Sequence, residues 1–176
     1  MKIAIIGYSG SGKSTLARKL GETYNLPVLH FDKVQFRPNW EIRPEPSKEL
    51  MTKVFLDLHP SWVIDGNYSK LSFERRMAEA DVIIQLRFNR LASLRRVTRR
   101  YLTYKEGTRP DMADGCAEKL DWEFITWVLW KGRSKTSRER YEAVCARYPE
   151  KTIVVKNQRQ LDAVQKRINE VLAAKL

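Results

Sequence analysis

The sequence predicts an α/β fold built around a five-stranded parallel sheet, and three observations predict it. Five short apolar runs, at Lys2–Ile6, Pro27–Phe31, Ser61–Asp65, Asp81–Phe88 and Lys151–Val155, are spread over the 176 residues. Stretches with helical periodicity separate them. A glycine-rich loop and then a helix follow the first run directly. Continuous apolar runs suit strands buried on both faces. Strands alternating with helices need crossover connections, which make the pairing parallel.

The elements follow in order. Lys2–Ile6 (KIAII) is a buried strand, Gly7–Gly12 a loop, and Lys13–Tyr24 a helix with Leu16 and Leu20 on one face. Pro27–Phe31 (PVLHF) is a second strand ending at Asp32. Pro38, Pro44 and Pro46 argue against a regular element over Lys33–Pro46. Ser47–Leu58 is a helix with Leu50, Val54 and Leu58 at helical spacing. Ser61–Asp65 (SWVID) is a third strand closed by Gly66, and Asp81–Phe88 (DVIIQLRF) a fourth. Asn89–Tyr104 is a basic helix whose apolar face is expected at Leu91, Leu94, Thr98 and Tyr101. Glu106–Gly115 is a loop, Glu118–Trp130 and Ser134–Tyr148 are helices, Lys151–Val155 is the fifth strand, and Gln158–Ala174 a last helix. His30 is expected to be structural and His59 to mark a helix end. Trp122, Trp127 and Trp130 are expected to pack a helix interface.

Totals narrow the class. The length favours one domain, 1–176, able to bury a core without disulfides or structural metals. Lysine and arginine number 33 against 21 acids, a formal charge of +12 that suits an anionic partner: nucleotide, phosphorylated metabolite, nucleic acid or acidic lipid. Cys116 and Cys145 form no Cys-x-x-Cys pair, and a reducing cytosol is the simplest setting. The apolar run at the N-terminus is too short for a signal peptide, no stretch reaches membrane-spanning length, and a cytoplasmic protein is expected.

One motif carries chemistry by itself. Gly7-Tyr8-Ser9-Gly10-Ser11-Gly12-Lys13-Ser14 matches G-x-x-x-x-G-K-[ST], the phosphate-binding loop, or P-loop. Its glycines let successive N–H groups turn inward around phosphate oxygens, and the next helix adds its positive end. Lys13 can reach the β- and γ-phosphates of ATP, the Ser14 hydroxyl can ligate Mg²⁺, and Thr15 is an auxiliary phosphate contact.

Such a loop needs an acid near the metal at a strand end. Asp65 is the first candidate and Asp32 its competitor; either could also be a plain strand-end turn residue. With both present, Asp65 suits Mg²⁺, and Asp32 suits binding an acceptor or taking its hydroxyl proton. Seven arginines, Arg87, Arg90, Arg95, Arg96, Arg99, Arg100 and Arg109, cluster on and after the basic helix. Arginine forks stabilise the charge that spreads over a transferring phosphoryl group, and a lid that carries them also excludes water. Some simply solvate the helix, and the same face could grip nucleic-acid phosphates. Phe36 and Trp40 either stack on an acceptor ring or plug the space beneath a loop.

The P-loop, the strand ending Asp65-Gly66 and the arginine helix resemble the adenylate-kinase-like nucleoside and nucleotide kinases. Through GYSGSGKSTLARKL, LHFDKVQFRPNW, WVIDGNYS, ADVIIQL, RRVTRRYL and RPDMADGCAEKLDWEFITWVLW the chain resembles, more closely, the FlaR-like DNA topology modulation proteins. The resemblance implies a three-layer P-loop NTPase fold with strand order 2-3-1-4-5. It implies an acceptor-binding insertion, set at 33–60, and an arginine-bearing lid, set at 101–120. It also assigns Arg96 and Arg100 to the phosphate-facing side of the lid, with Arg109 in the lid loop. Adenylate kinases carry Asp-Gly-Phe-Pro-Arg where this chain has Asp65-Gly66-Asn67-Tyr68-Ser69, so AMP as acceptor does not carry over. Shikimate kinases carry Asp-x-Asp where this chain has Asp32-Lys33-Val34.

The sequence therefore predicts an ATP-dependent phosphotransferase using Mg²⁺. Lys13, Asp32, Arg96 and Arg100 would be catalytic. Gly7 to Thr15 and Arg109 would bind ATP, Ser14 and Asp65 the metal, and Asp32, Phe36 and Trp40 a small-molecule acceptor. The alternatives are a nucleic-acid-associated regulator that binds ATP, and a plain ATPase.

Overall fold

A computed structural model of the chain describes residues 1–105, 107 and 109–174. The first apolar run becomes β1 (Lys2–Gly7), which lies at the centre of the sheet. Around it stand β2 (Val28–His30), β3 (Trp62–Asp65), β4 (Val82–Leu86) and β5 (Thr152–Val155). All pairs are parallel and the order is β2-β3-β1-β4-β5. This is the expected three-layer P-loop NTPase topology.

Alternate side chains of the strands serve two cores. From β1, Ala4 and Ile6 join a core containing Phe31, Leu56, Trp62 and Met77, while Ile3 and Ile5 face Leu16, Leu20, Ile153 and Ile168. Helix α1 (Lys13–Tyr24) covers the second face through Leu16, Ala17 and Leu20, with the bounds that its periodicity predicts.

The segment after β2 is more ordered than its prolines suggest. The strand ends at His30, and Phe31–Gln35 forms a short helix, α2. Asp32 therefore sits in the first turn of α2 and not at the strand end. Pro38–Trp40 is a 3-10 turn, and Phe36 bridges to Ile42. Helix α3 (Glu45–Leu58) starts two residues before the predicted helix, because Pro46 fits a first helical turn, where no N–H donor is required.

Two helix faces differ from expectation. On α3 the buried positions are Lys48, Thr52 and Leu56, while Leu50, Val54 and Leu58 are 63%, 44% and 70% exposed. On α5 (Arg90–Tyr104) Ser93 and Val97 are buried, and Leu91 is 77% exposed. The cause on α5 is close approach. A Cβ added at Gly10 would lie 2.5 Å from Val97 Cγ1 and 3.0 Å from the Ser93 carbonyl, so small residues must face the P-loop.

A helix absent from the prediction, α4 (Phe73–Glu79), precedes β4. Helix α6 (Trp122–Leu129) starts after Asp121, whose side chain accepts the Phe124 N–H, so 118–121 is not helical. Trp122, Trp127 and Trp130 are largely exposed, so they do not form the expected buried interface. Helix α7 (Lys135–Arg147) follows, capped by Ser134. The last helix is two, α8 (Gln158–Asp162) and α9 (Val164–Ala173), divided at Ala163. Glu106 and Thr108, inside the expected lid, lie outside the described residues. No helix among the described residues is long and apolar enough to cross a membrane.

Candidate active site

The C-terminal ends of β1, β2 and β3 open into a cavity of about 1790 Å³. In open α/β sheets this is where ligands bind. The loop from Gly7 to Gly12 forms its floor. Gly10 and Gly12 have φ of 73° and 91°, a region that strains other residues and turns the backbone toward the cavity. A Cβ on Gly12 would meet Arg96 Nη1 at 2.8 Å.

Lys13 and Ser14 open α1. The Lys13 ammonium donates to the Gly7 and Tyr8 carbonyls, at 3.1 Å each. Burial pulls the Lys13 pKa down, against the attraction of Asp32 and Asp65; Arg100 and Arg109 add repulsion. Both acids and both arginines line the same cavity as the amine. The Ser14 hydroxyl donates to Asp65 Oδ2 at 2.8 Å. Asp65 Oδ1 lies 2.6 Å from His30 Nδ1. Asp65 is only 4% exposed, so both oxygens depend on these partners.

The stretch after β3 fastens the loop from behind. Asn67 Oδ1 accepts the Gly7 N–H at 2.9 Å, and its Nδ2 donates to the Gly7 carbonyl at 2.5 Å. Tyr68 donates to Asp32 Oδ1 at 2.9 Å. Burial, and then Asp32, push the Tyr68 pKa up, which keeps the phenol a donor. These contacts give Asn67 and Tyr68 definite roles where the adenylate kinases have phenylalanine and proline.

Phe36 and Trp40 meet edge to face, with centroids 5.0 Å apart, and both line the cavity. Trp40 also anchors the far wall: its backbone N–H donates to Cys116 Sγ at 3.3 Å, and that thiol donates to the Arg37 carbonyl. Trp40 Nε1 is buried beside the cavity without a hydrogen-bond partner among the described residues.

The arginines divide sharply. Arg96 Nη1 donates to the Ser11 carbonyl at 2.9 Å, Nη2 reaches Gln158, and the guanidinium lies 4.0 Å over Phe88. Arg100 pairs with Glu118 at 2.9 Å. Arg109 pairs with Asp111 at 2.9 Å and also with Glu118. Arg109, Asp111 and Glu118 are all buried. Burial pulls the Arg100 pKa down and Arg109 adds to it, with Glu118 opposing. Arg90, Arg95 and Arg99 are exposed, and Arg87 lies 3.8 Å from Glu142. Thr15 is exposed at the cavity rim.

The sequence reading brought together Lys13, Ser14, Asp32, Asp65, Arg100 and Arg109, and the structure gathers all six around one cavity. It missed His30, Asn67, Glu118 and Trp127, whose indole donates to Ser9 Oγ at 3.0 Å. His30 carried a signal, since it ends β2 as Asp65 ends β3 and the two are register partners. Glu118 lies in an irregular stretch and carried none.

The residues fit a magnesium nucleotide. Successive N–H groups, a lysine and an N-terminal helix end suit phosphate, and a hydroxyl beside a carboxylate suits a hard cation.

No family model and no curated protein matches the sequence. Solved structures align with its fold. A shikimate kinase from Acinetobacter baumannii in complex with shikimate aligns with TM-score 0.62 at 16% identity, covering 99% of this chain and 94% of that one. A deoxyadenosine kinase from M. mycoides with the products dCMP and a flexible dCDP bound aligns with TM-score 0.54 at 14% identity, covering 97% and 100%. The same enzyme with bound dATP gives TM-score 0.54 at 16% identity, covering 96% and 100%. The chain has the fold of the P-loop kinases.

Proposed function

We propose that this single domain is an ATP-dependent phosphotransferase acting on a small acceptor that bears a hydroxyl or phosphate. The observation that carries the reading is the Ser14–Asp65 contact, 2.8 Å long, at the head of the P-loop helix. It sets a hydroxyl and a carboxylate on the metal side of a loop whose lysine faces the same cavity as Asp32 and two lid arginines.

In this reading Gly7–Thr15 cradle the ATP phosphates, and Lys13 moves from the loop carbonyls to the β- and γ-phosphates. Ser14 and Asp65 hold Mg²⁺, Asp65 directly or through water. When bound, the ion neutralises charge on the phosphate oxygens. Asp32, oriented by Tyr68, binds the acceptor and takes its hydroxyl proton. Phe36 and Trp40 form the acceptor wall, within an insertion spanning 33–60. Arg100 and Arg109, on a lid spanning 101–120, face the transferring phosphoryl group. Arg96 braces the loop at Ser11, so its share in catalysis is to hold the P-loop and the ATP on it.

The test is a coupled ADP-release screen over nucleosides, nucleoside monophosphates, sugars and small hydroxy acids. An acceptor that raises ADP release and is recovered phosphorylated supports the reading. ADP release that no acceptor changes would mean a plain ATPase.

The charge of +12 favours a second reading, an ATP-binding regulator that associates with nucleic acid, as the resemblance to topology modulation proteins suggests. DNA binding that falls steeply with salt, at a specific site and in the presence of ATP, would support it. Binding that ATP abolishes would mean that DNA phosphates occupy the nucleotide site.

A further inference from the structure

His30 holds a place in the site that neither the P-loop motif nor the arginine lid assigns. It ends β2 as Asp65 ends β3, and the two are paired in register on adjacent parallel strands. Their side chains stand on the same face of the sheet. His30 Nδ1 lies 2.6 Å from Asp65 Oδ1, and Ser14 Oγ lies 2.8 Å from Asp65 Oδ2. One carboxylate oxygen is thus tied to β2 and the other is turned to the head of α1. The side chains of His30 and Asp65 are only 11% and 5% exposed, so water does not compete freely for the contact.

We propose that His30 is the positioning residue for Asp65, fixing which carboxylate oxygen faces Ser14 and the metal; this rests on the phosphotransferase reading above. The need for it comes from Lys13. That amine lines the same cavity as Asp65, yet it donates to the Gly7 and Tyr8 carbonyls instead. A carboxylate free to turn would pair with the ammonium. That would remove Lys13 from phosphate and Asp65 from the metal at one stroke. An ionised carboxylate only accepts, so the contact needs a hydrogen on His30 Nδ1. Imidazole holding a metal-side carboxylate acts as the outer partner that orients ligands in metal sites.

The test uses two amides of different reach. Asparagine places its amide nitrogen near the position of Nδ1; glutamine carries it one bond too far. Calorimetric titration with ATP, in excess Mg²⁺ and then in EDTA, gives the advantage that the metal confers. In His30→Gln that advantage should fall about 10-fold or more, while affinity in EDTA changes by about twofold or less. His30→Asn should keep most of the advantage. Equal behaviour of the two variants, or a His30→Gln protein with the wild-type advantage, overturns the proposal and leaves the phosphotransferase reading intact. Wild-type protein with no Mg²⁺ advantage overturns both. A second measurement needs no variant at His30. Nitrogen-15 spectra of the wild type, which has two histidines, should show His30 with hydrogen on Nδ1, His59→Gln serving for assignment. A His30 with bare Nδ1 overturns the proposal.

Discussion

The P-loop side of the cavity and its lid side are held by different kinds of contact. On the P-loop side, neighbours in sequence do most of the work. Lys13 reaches back to Gly7 and Tyr8, and α1 begins at Lys13, within the motif itself. The partners added from elsewhere, Asp65 and His30, come from the ends of strands whose register the sheet fixes. On the lid side, Arg100, Arg109 and Glu118 come from one helix and from irregular chain, and charge holds them together. The comparison extends to Arg76, which is buried, and Arg133, which is half-buried. Among the described residues Arg76 has no acidic partner in contact; it donates to the Tyr68 and Leu71 carbonyls and lies 4.3 Å over Phe31. Arg133 likewise binds the Val128 and Phe88 carbonyls and lies 4.1 Å over Tyr8. Carbonyls and rings fix a guanidinium in one place as part of the framework. A guanidinium held by carboxylates can exchange them for a phosphate of the same sign of charge, as the proposed lid would require.

The largest expected effect lies on the P-loop side. Lys13→Ala should lower turnover roughly 1000-fold, because a charge aimed at the transferring group is lost. The fold should hardly change, since burial already disfavours the charged amine and its contacts are two loop carbonyls. Steady-state assays beside thermal melts check both halves. Unchanged turnover would remove Lys13 from the site.

The next effect separates the two sides. Removing Glu118 takes from the half-buried Arg100 and the buried Arg109 the counter-charge that they share, which should cost about 3 kcal/mol in a Glu118→Ala protein measured by urea unfolding. Glu74 is the control. Its pair with Arg147 is as short, at 2.6 Å, but both side chains are exposed, so Glu74→Ala should show no measurable change. Equal stability in the two variants would mean that the lid cluster is solvated and not a buried unit.

Legibility in the sequence follows the same division. The loop, Lys13, Ser14 and the bounds of α1 were readable because their spacing is local. Asp65 was readable because a strand end is also a sheet end. Glu118 was not, since only the path of the lid brings it to Arg100 and Arg109. Asp32 was assigned to the right cavity but the wrong element, because the two-residue step from His30 into α2 leaves no mark in composition. On α5, leucines drew the reading away from Ser93 and Val97, whose smallness lets Gly10 approach. The exposed tryptophans on and just after α6 were misread because aromatic size was taken as a sign of burial.

The smallest effect tests why α3 was read on the wrong face. Leu50, Val54 and Leu58 recur every four residues, and so do Lys48, Thr52 and Leu56, two positions out of step. Periodicity supports both rows equally, and hydrophobicity favours the wrong one. The choice is made by tertiary contacts. Thr52 returns its hydroxyl to the Lys48 carbonyl at 2.8 Å, the Lys48 ammonium is held by Gln35 and Glu45, and Leu56 joins the core. Lysine at Leu50 or Leu58 should therefore alter stability by only about 0.5 kcal/mol or less. Leu56→Ala should cost about 3 kcal/mol through the cavity it leaves. Chemical unfolding of the three variants decides it: a larger loss at Leu50 than at Leu56 would turn α3 back to the face its leucines suggest and pull Lys48 away from Gln35.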